Sequence, residues 1–478
     1  MNLPTSATGA HETREDFAAT LSRFAHGITV DSLPLPVIAA VKANVFDTLA
    51  CAAAGSSSPG VQEALGLARE WGGAPQASIL VFGDRVPAHH AAWVNGTMAH
   101  ARDYDDTHDA ATLHGGVSVV TAALAAAELR GGVPGREFIA GVTAGLETIC
   151  RLGVSTTIGI VDSGYMYTAL FGHFAATIAA GRILELPESQ LVNALGIAFS
   201  QVAGNHQVSR DGAMTKRMQP GFSAMSGLLS VQLARRGIRG VQSTFEGVDG
   251  FLRVYLHDRC DRERLRDRLG EHYELLELSY KPYPCCRFIH TAIDAALDLR
   301  QRLDLPAGRV GRVRVGVNRL AYEAVCTPVE VRKAPRTIVH AQFSIPFGVA
   351  AALLDGEVTL EHFSEAALHR QDILALAQRV DTYVHDDIER DWGRTVSPAQ
   401  FDLELDDGST HSLRMDWALG HPRRPMSKSD FDAKALNCIR AAALPLPDEA
   451  VMHLRQQIGS LESLADVRSL LQSLTSST

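Results

Sequence analysis

Cationic charge is not in excess in this chain: 45 Lys and Arg stand against 54 Asp and Glu, a formal charge of -9. Without a basic footprint, nucleic acid is not an expected partner. An anionic small molecule still is, because a pocket can be locally positive. The amino terminus lacks the cationic start and apolar core of a signal peptide. The longest apolar runs, such as residues 117–127, fall short of the roughly 20 residues that a bilayer-spanning helix needs, so no membrane association is expected. Seven cysteines, at 51, 150, 260, 285, 286, 326 and 438, make neither a disulfide framework nor a CxxC pair. A cytoplasmic protein with reduced thiols is the simplest account. Also absent are a Walker A loop, a GxGxxG turn at a strand-to-helix junction and an HExxH signature, so nucleotide and nicotinamide cofactors are unsupported. No fixed-period repeat is visible, which argues against a solenoid.

What is present is an ordinary globular composition, 46% hydrophobic and 21% charged, with length enough for two or more domains. From about residue 16 to 256 the pattern is helical: residues 36–54, 117–130, 135–150, 171–184, 188–198 and 222–236 form apolar, Ala- and Gly-rich segments with short Gly, Pro or Ser breaks. After Arg259 the texture changes. Residues 258–271 read as a solvated helix, and residues 310–317 and 380–385 as strands. Residues 401–405 and 411–415 flank the turn signal Asp406-Asp407-Gly408-Ser409 as a hairpin. Residues 344–354 and 360–367 read as helices between them. Helical texture returns over 430–474, with Ser427 and Ser429 as candidate caps. The expected fold is mainly α: a large all-helical domain formed from both chain ends (1–265 and 417–478) with an inserted smaller α+β lid domain (266–416). The site is then expected in the cleft between the two.

Four polar clusters interrupt this apolar background. The first runs from Asn95 through His100, Asp103, Asp105, Asp106, Thr107 and His108 to His114. Read as a continuous helix, it places His100, Asp103 and Thr107 on one face at offsets of three and four. A buried polar face of that kind costs free energy unless its groups pair with one another or with a ligand. The second cluster is Thr215-Lys216-Arg217, just ahead of a long apolar helix, where a helix amino terminus adds to the pull on an anion. The third runs from Lys281 through Cys285, Cys286 and Arg287 to His290, and the fourth from His340 to Ser344. Asp103, Asp105, Asp106, His108 and His114 offer metal ligands. Consecutive Asp residues on one helix diverge, however, and no familiar spacing supports an ion, so no metal is expected.

Taken in order, these clusters resemble the MmgE/PrpD family, whose members include 2-methylcitrate dehydratase, cis-aconitate decarboxylase and iminodisuccinate epimerase. The likeness spans nearly the whole chain: Asn95-Gly96, His100, Asp103 to Thr107 and His114; Thr215 to Met218 with Gly221; Lys281 to Cys286 with His290; Ala341 to Ser344; and Gly420-His421-Pro422. The resemblance implies an all-helical domain with an α+β lid, a homodimer, and action on small di- and tricarboxylates without an organic cofactor. It also implies that Asp103, Thr107, His114, Lys216 and Lys281 line the pocket. Cys286 stands where some members carry a pocket histidine. Met166 replaces a further pocket histidine in Gly164-Tyr165-Met166-Tyr167, and Gln219 a third, which points to an altered substrate.

Removing a proton next to a carboxylate, or expelling carbon dioxide, builds negative charge that cations stabilise best where water is excluded. The expected catalytic residues are His114 as acid or base, Asp103 as its partner or a second base, and Lys216 as anion clamp. Asn95, Thr107, Arg217, Lys281, Cys286, His290 and Met166 are the expected substrate contacts, with Tyr165 or Tyr167 as a replacement proton donor. The expected function is a cofactor-independent lyase or isomerase acting on a small polycarboxylate. A metal-dependent hydrolase and a carboxylate-binding protein without turnover are the rivals.

Overall fold

The structure, a computed structural model, describes residues 15–475 apart from 394 and 397. Among the described residues it holds 23 α-helices and eight strands, so the chain is mainly α. The long helices Leu35–Gly55, Gly116–Arg130, Gly135–Ser155, Tyr167–Ile183, Glu188–Phe199 and Thr215–Arg235 follow the apolar segments of the sequence. Small residues let their axes approach closely. A Cβ on Gly221 would lie 2.4 Å from the Trp93 carbonyl oxygen, and one on Gly96 would lie 2.9 Å from the Gly221 Cα. Helix Ala88–His100 therefore crosses helix Thr215–Arg235 backbone to backbone. That crossing brings the end of one, His100, beside the start of the other, Lys216.

Two helices, Leu35–Gly55 and Gly135–Ser155, are each 21 residues long and apolar enough by length and composition to cross a bilayer. The apolar runs of the sequence are shorter than these helices because Lys42, Asp47, Glu147 and Arg151 interrupt the two. Both helices are mostly packed inside the protein, with 72% and 100% of their most apolar windows buried, and core helices pass the same test.

Buried apolar side chains form two clusters. One gathers residues from Phe17 to Leu278 together with Ala435 to Leu474; the other runs from Tyr283 to Leu405. The second is built on a four-stranded sheet in the order Val380–Val384, Val310–Val317, Ala399–Leu405, Thr410–Met415. The first pair is parallel, with Val313 opposite Val380, and the other pairings are antiparallel. Gly408, at φ 83°, makes the hairpin turn that the Asp-Asp-Gly-Ser signal marked. Helix Lys428–Arg440 is capped by Ser427, which accepts from the Asp430 N–H; Ser429 is not the cap. Its Lys434 crosses to helix Leu35–Gly55, donating to Asp47 (2.5 Å) and to the Tyr104 carbonyl (2.7 Å).

Four local expectations are corrected. The first cluster is not one helix: helix Ala88–His100 stops at His100, because Asp103 takes a left-handed backbone (φ 52°) that no continuing helix accommodates. Lys216 and Arg217 lie inside their helix and not ahead of it, since it starts at Thr215 and runs through Pro220. Residues 258–271 contain only the five-residue helix Arg262–Arg266. That stretch is not merely a solvated face: the buried Arg151 donates to the carbonyls of Asp267 (2.8 Å) and His272 (2.7 Å). Residues 360–367 hold the 3-10 turn Leu360–Phe363 and no α-helix.

Candidate active site

The site is made by a tight reversal of the chain after His100. Asp103 curls back, and Thr107–His108 pairs antiparallel with Leu278–Ser279. The Asp106 carboxylate then accepts from the N–H groups of Gly115 (2.8 Å) and Gly116 (2.9 Å), which starts helix Gly116–Arg130. The strand pairing carries Lys281 into the loop, where its ammonium donates to the Asp103 carbonyl at 2.8 Å. From the second cluster, the Gln342 amide donates to the Arg102 and Pro284 carbonyls (2.8 and 3.1 Å) and holds the same loop from the other side.

Asp103 sits between two cations. Its Oδ1 is 2.6 Å from Lys216 Nζ and its Oδ2 is 3.3 Å from Lys281 Nζ. Burial alone would push the carboxyl up, but Lys216 and Lys281 outweigh it and hold Asp103 well below the usual carboxylate range. Burial would strip Lys281 of its proton, and Asp103 keeps it raised instead. An aspartate held ionised this firmly is a poor base. The expected pairing of Asp103 with His114 is therefore corrected: Asp103 balances the lysines.

The partner of His114 is Asp105. Its Oδ2 lies 2.9 Å from His114 Nδ1 and 2.9 Å from His100 Nδ1, and the two imidazoles meet edge to face with centroids 4.7 Å apart. Lys216 Nζ reaches His100 Nε2 at 3.1 Å. Because the ammonium can only donate, His100 Nε2 accepts and its Nδ1 carries the proton toward Asp105. Burial pushes His100 down to about 4, in keeping with a neutral ring. Asp105, which burial would raise, is held well below its ordinary value by the two histidines. The result is a continuous chain from Lys216 through His100 and Asp105 to His114.

His114 and Lys216 line one cavity of about 60 Å³, together with Thr107, Lys281, Cys286 and Met166. The residues come from both apolar clusters. Lys216 Nζ also stands 5.1 Å from the Phe343 ring centroid at this wall. Burial, with Asp103 beside it, pushes the Cys286 thiol up to about 11, so it faces the cavity as a neutral group. His100, Asp105 and His114 also offer three ligand atoms within 4.8 Å of one another, a spacing that a metal ion accepts.

Five expected substrate contacts lie elsewhere. The Asn95 amide is taken up by Leu80 N–H and the Ser78 carbonyl (2.9 and 3.0 Å), locking an edge strand to its helix. Arg217, one residue on from Lys216 and so turned about 100° around the helix, donates to the Pro59 carbonyl at 2.9 Å. His290 is spent on Cys285, with Nε2 3.2 Å from its carbonyl oxygen. Tyr165 packs on Tyr255, and the Tyr167 hydroxyl donates to the Ile158 carbonyl at 2.6 Å. Neither tyrosine is in the wall of the cavity that holds His114. Conversely, Asp105 and His100 belong to the site, and so do His206 and Ser209, which no local pattern in the sequence marks.

The chain matches the family model of the MmgE/PrpD N-terminal domain over residues 19–263 and that of the MmgE/PrpD C-terminal domain over residues 283–458. Among curated proteins it is similar to a cis-aconitate decarboxylase of Aspergillus terreus (strain NIH 2624 / FGSC A1156), 26% identical over 474 residues and 95% of each chain. It is similar also to the cis-aconitate decarboxylase of Homo sapiens, 26% identical over 470 residues, covering 95% of this chain and 92% of the human one. The Mus musculus protein of that name is 25% identical over 474 residues, covering 95% of this chain and 91% of its own.

Proposed function

This chain belongs to the MmgE/PrpD family and is an enzyme of that type; from that premise we propose that it moves a proton at a carbon adjacent to a carboxylate of a small di- or tricarboxylate, without an organic cofactor. The observation that carries the proposal is that His114 and Lys216 face one small cavity while Asp105 and His100 join them behind it.

The chemistry follows from the donors present. With Nδ1 turned to Asp105, His114 has Nε2 free to take the proton from the substrate carbon and return it, or to deliver it to a leaving group. The substrate carboxylate gains charge as the proton leaves. Lys216, which lines the same cavity as His114, is the group placed to receive that charge. In a small cavity lined by Met166, Phe288 and Phe343, little water competes. We take the second apolar cluster as a lid on a helical body formed from both chain ends; Cys286 and Phe343 then reach the substrate only when the two halves meet. Dehydration and epimerisation begin with this proton removal, and in decarboxylation the same imidazole delivers a proton to the carbon that loses carbon dioxide.

The test is proton NMR of cis-aconitate, citrate and 2-methylcitrate incubated with the enzyme in deuterium oxide, before and after dialysis against a chelator. Loss of a substrate proton signal that survives chelation is the expected result. Activity that disappears on chelation and returns with a divalent ion would assign His100, Asp105 and His114 to a metal instead. Binding without exchange or conversion of any acid would leave a carboxylate-binding protein.

A further inference from the structure

Around the acidic loop three cations rest on carboxylates. Lys216 and Lys281 share Asp103, and Arg287 rests on Asp109 at 3.2 Å. The other wall of the same cavity is different. There His206 and Ser209 stand three residues apart at the start of the short helix Gln207–Asp211, and both line the cavity. His206 Nδ1 and Ser209 Oγ are buried with no hydrogen-bond partner among the described residues. The charged groups that act on His206 are Arg210, Lys216 and Arg332, all positive. Neither Arg210 nor Arg332 forms an ion pair among the described residues. Arg332 donates to the Thr327 and Ala324 carbonyls (2.9 and 3.0 Å), and its Nη1 is buried without a partner.

Buried polar atoms of this kind cost free energy while unpaired, and the buried Arg332, with no carboxylate partner among the described residues, adds a positive field that favours an anion. The backbone here is braced. His206 N–H donates to the Gly164 carbonyl (2.8 Å), and the Gln219 amide brackets Asn205, accepting from its N–H (2.8 Å) and donating to its carbonyl (3.1 Å). Gln219 and the Met166 segment thus position His206.

We propose that His206 and Ser209 form a second anion subsite in this cavity, which holds a carboxylate of the substrate remote from the reacting carbon. A neutral imidazole N–H and a hydroxyl both donate to one carboxylate, with Arg210 and Arg332 supplying the field behind them. Burial, with those cations, pushes His206 down to about 4, so the ring is neutral in this role. The subsite selects diacids over monoacids. It rests on the polycarboxylate reading of the cavity only for the nature of its ligand.

Calorimetric titration of the full chain with succinate and with butyrate, four-carbon acids that differ in one carboxylate, tests this directly. The unaltered protein is expected to bind succinate about tenfold or more tightly than butyrate. In His206→Ala/Ser209→Ala the preference is expected to fall to about twofold. His206→Gln, which keeps a donor, should retain part of it. Ser209→Ala alone removes a single hydroxyl and serves if the double variant fails to fold; it should lose about threefold in succinate affinity. Equal binding of the two acids by the unaltered protein overturns the proposal, and so does a folded double variant that keeps the full preference. If no acid exchanges deuterium yet the preference depends on His206 and Ser209, the lyase reading falls and the subsite stands.

Discussion

His114→Gln is expected to lower deuterium exchange and turnover by about 10²–10⁴-fold, the range that one positioned proton-transfer group contributes. Glutamine keeps an amide near Asp105 but cannot take up and release a proton. The His114 side chain is 13% exposed, into the cavity, so its removal leaves little unfilled and the thermal midpoint should move little. Asp105→Asn belongs to the same test. It leaves the shape intact while removing the charge that orients both imidazoles, and a comparable loss is expected from it. Asp103→Asn should act differently, because Asp103 balances lysines and touches neither ring at hydrogen-bonding distance; its effect should be felt in substrate binding. Near-normal exchange in His114→Gln removes that residue from the mechanism.

The second large effect is expected from Lys216→Met. Methionine fills the space of the lysine stem but carries no charge, so the variant loses the cation that receives the developing negative charge. A loss of about 10²–10³-fold is expected, in line with removal of one preorganised donor to an anionic intermediate. Lys281 remains on Asp103 at 3.3 Å, so the carboxylate is not left without a counter-charge and the fold should persist. In Lys216→Ala, which leaves the space of the stem open, added propylammonium should restore part of the rate, whereas a purely structural lysine would show no such rescue. A variant that keeps full activity would contradict the assignment.

Much of this is legible in the sequence alone. The long helices carry broad apolar faces with Ala and Gly where axes close on one another, and those patterns are local. So are the alternating strand at Val310–Val317 and the hairpin around Gly408. The acidic cluster was visible as a site because buried polar residues need partners, but its wiring was not. A helical period assigns His100 and Asp103 to one face, whereas the left-handed turn at Asp103 resets the phase and hands the histidine contacts to Asp105. Arg217 and Asn95 looked as promising as their neighbours, and only the crossing of two helices through Gly96 and Gly221 decides which side chains face the cavity. His206 is hidden for another reason: it stands in a loop with no periodicity, and its neighbours in space, Lys216 and Arg332, come from segments 10 and more than 100 residues away.

The most direct measurement is a crystal structure of the enzyme with citrate bound. The expected result is one carboxylate about 3 Å from Lys216 Nζ and a substrate carbon or hydroxyl within about 3.5 Å of His114 Nε2. Citrate bound outside this cavity, or a metal ion seated between His100, Asp105 and His114 with the acid coordinated to it, would contradict it.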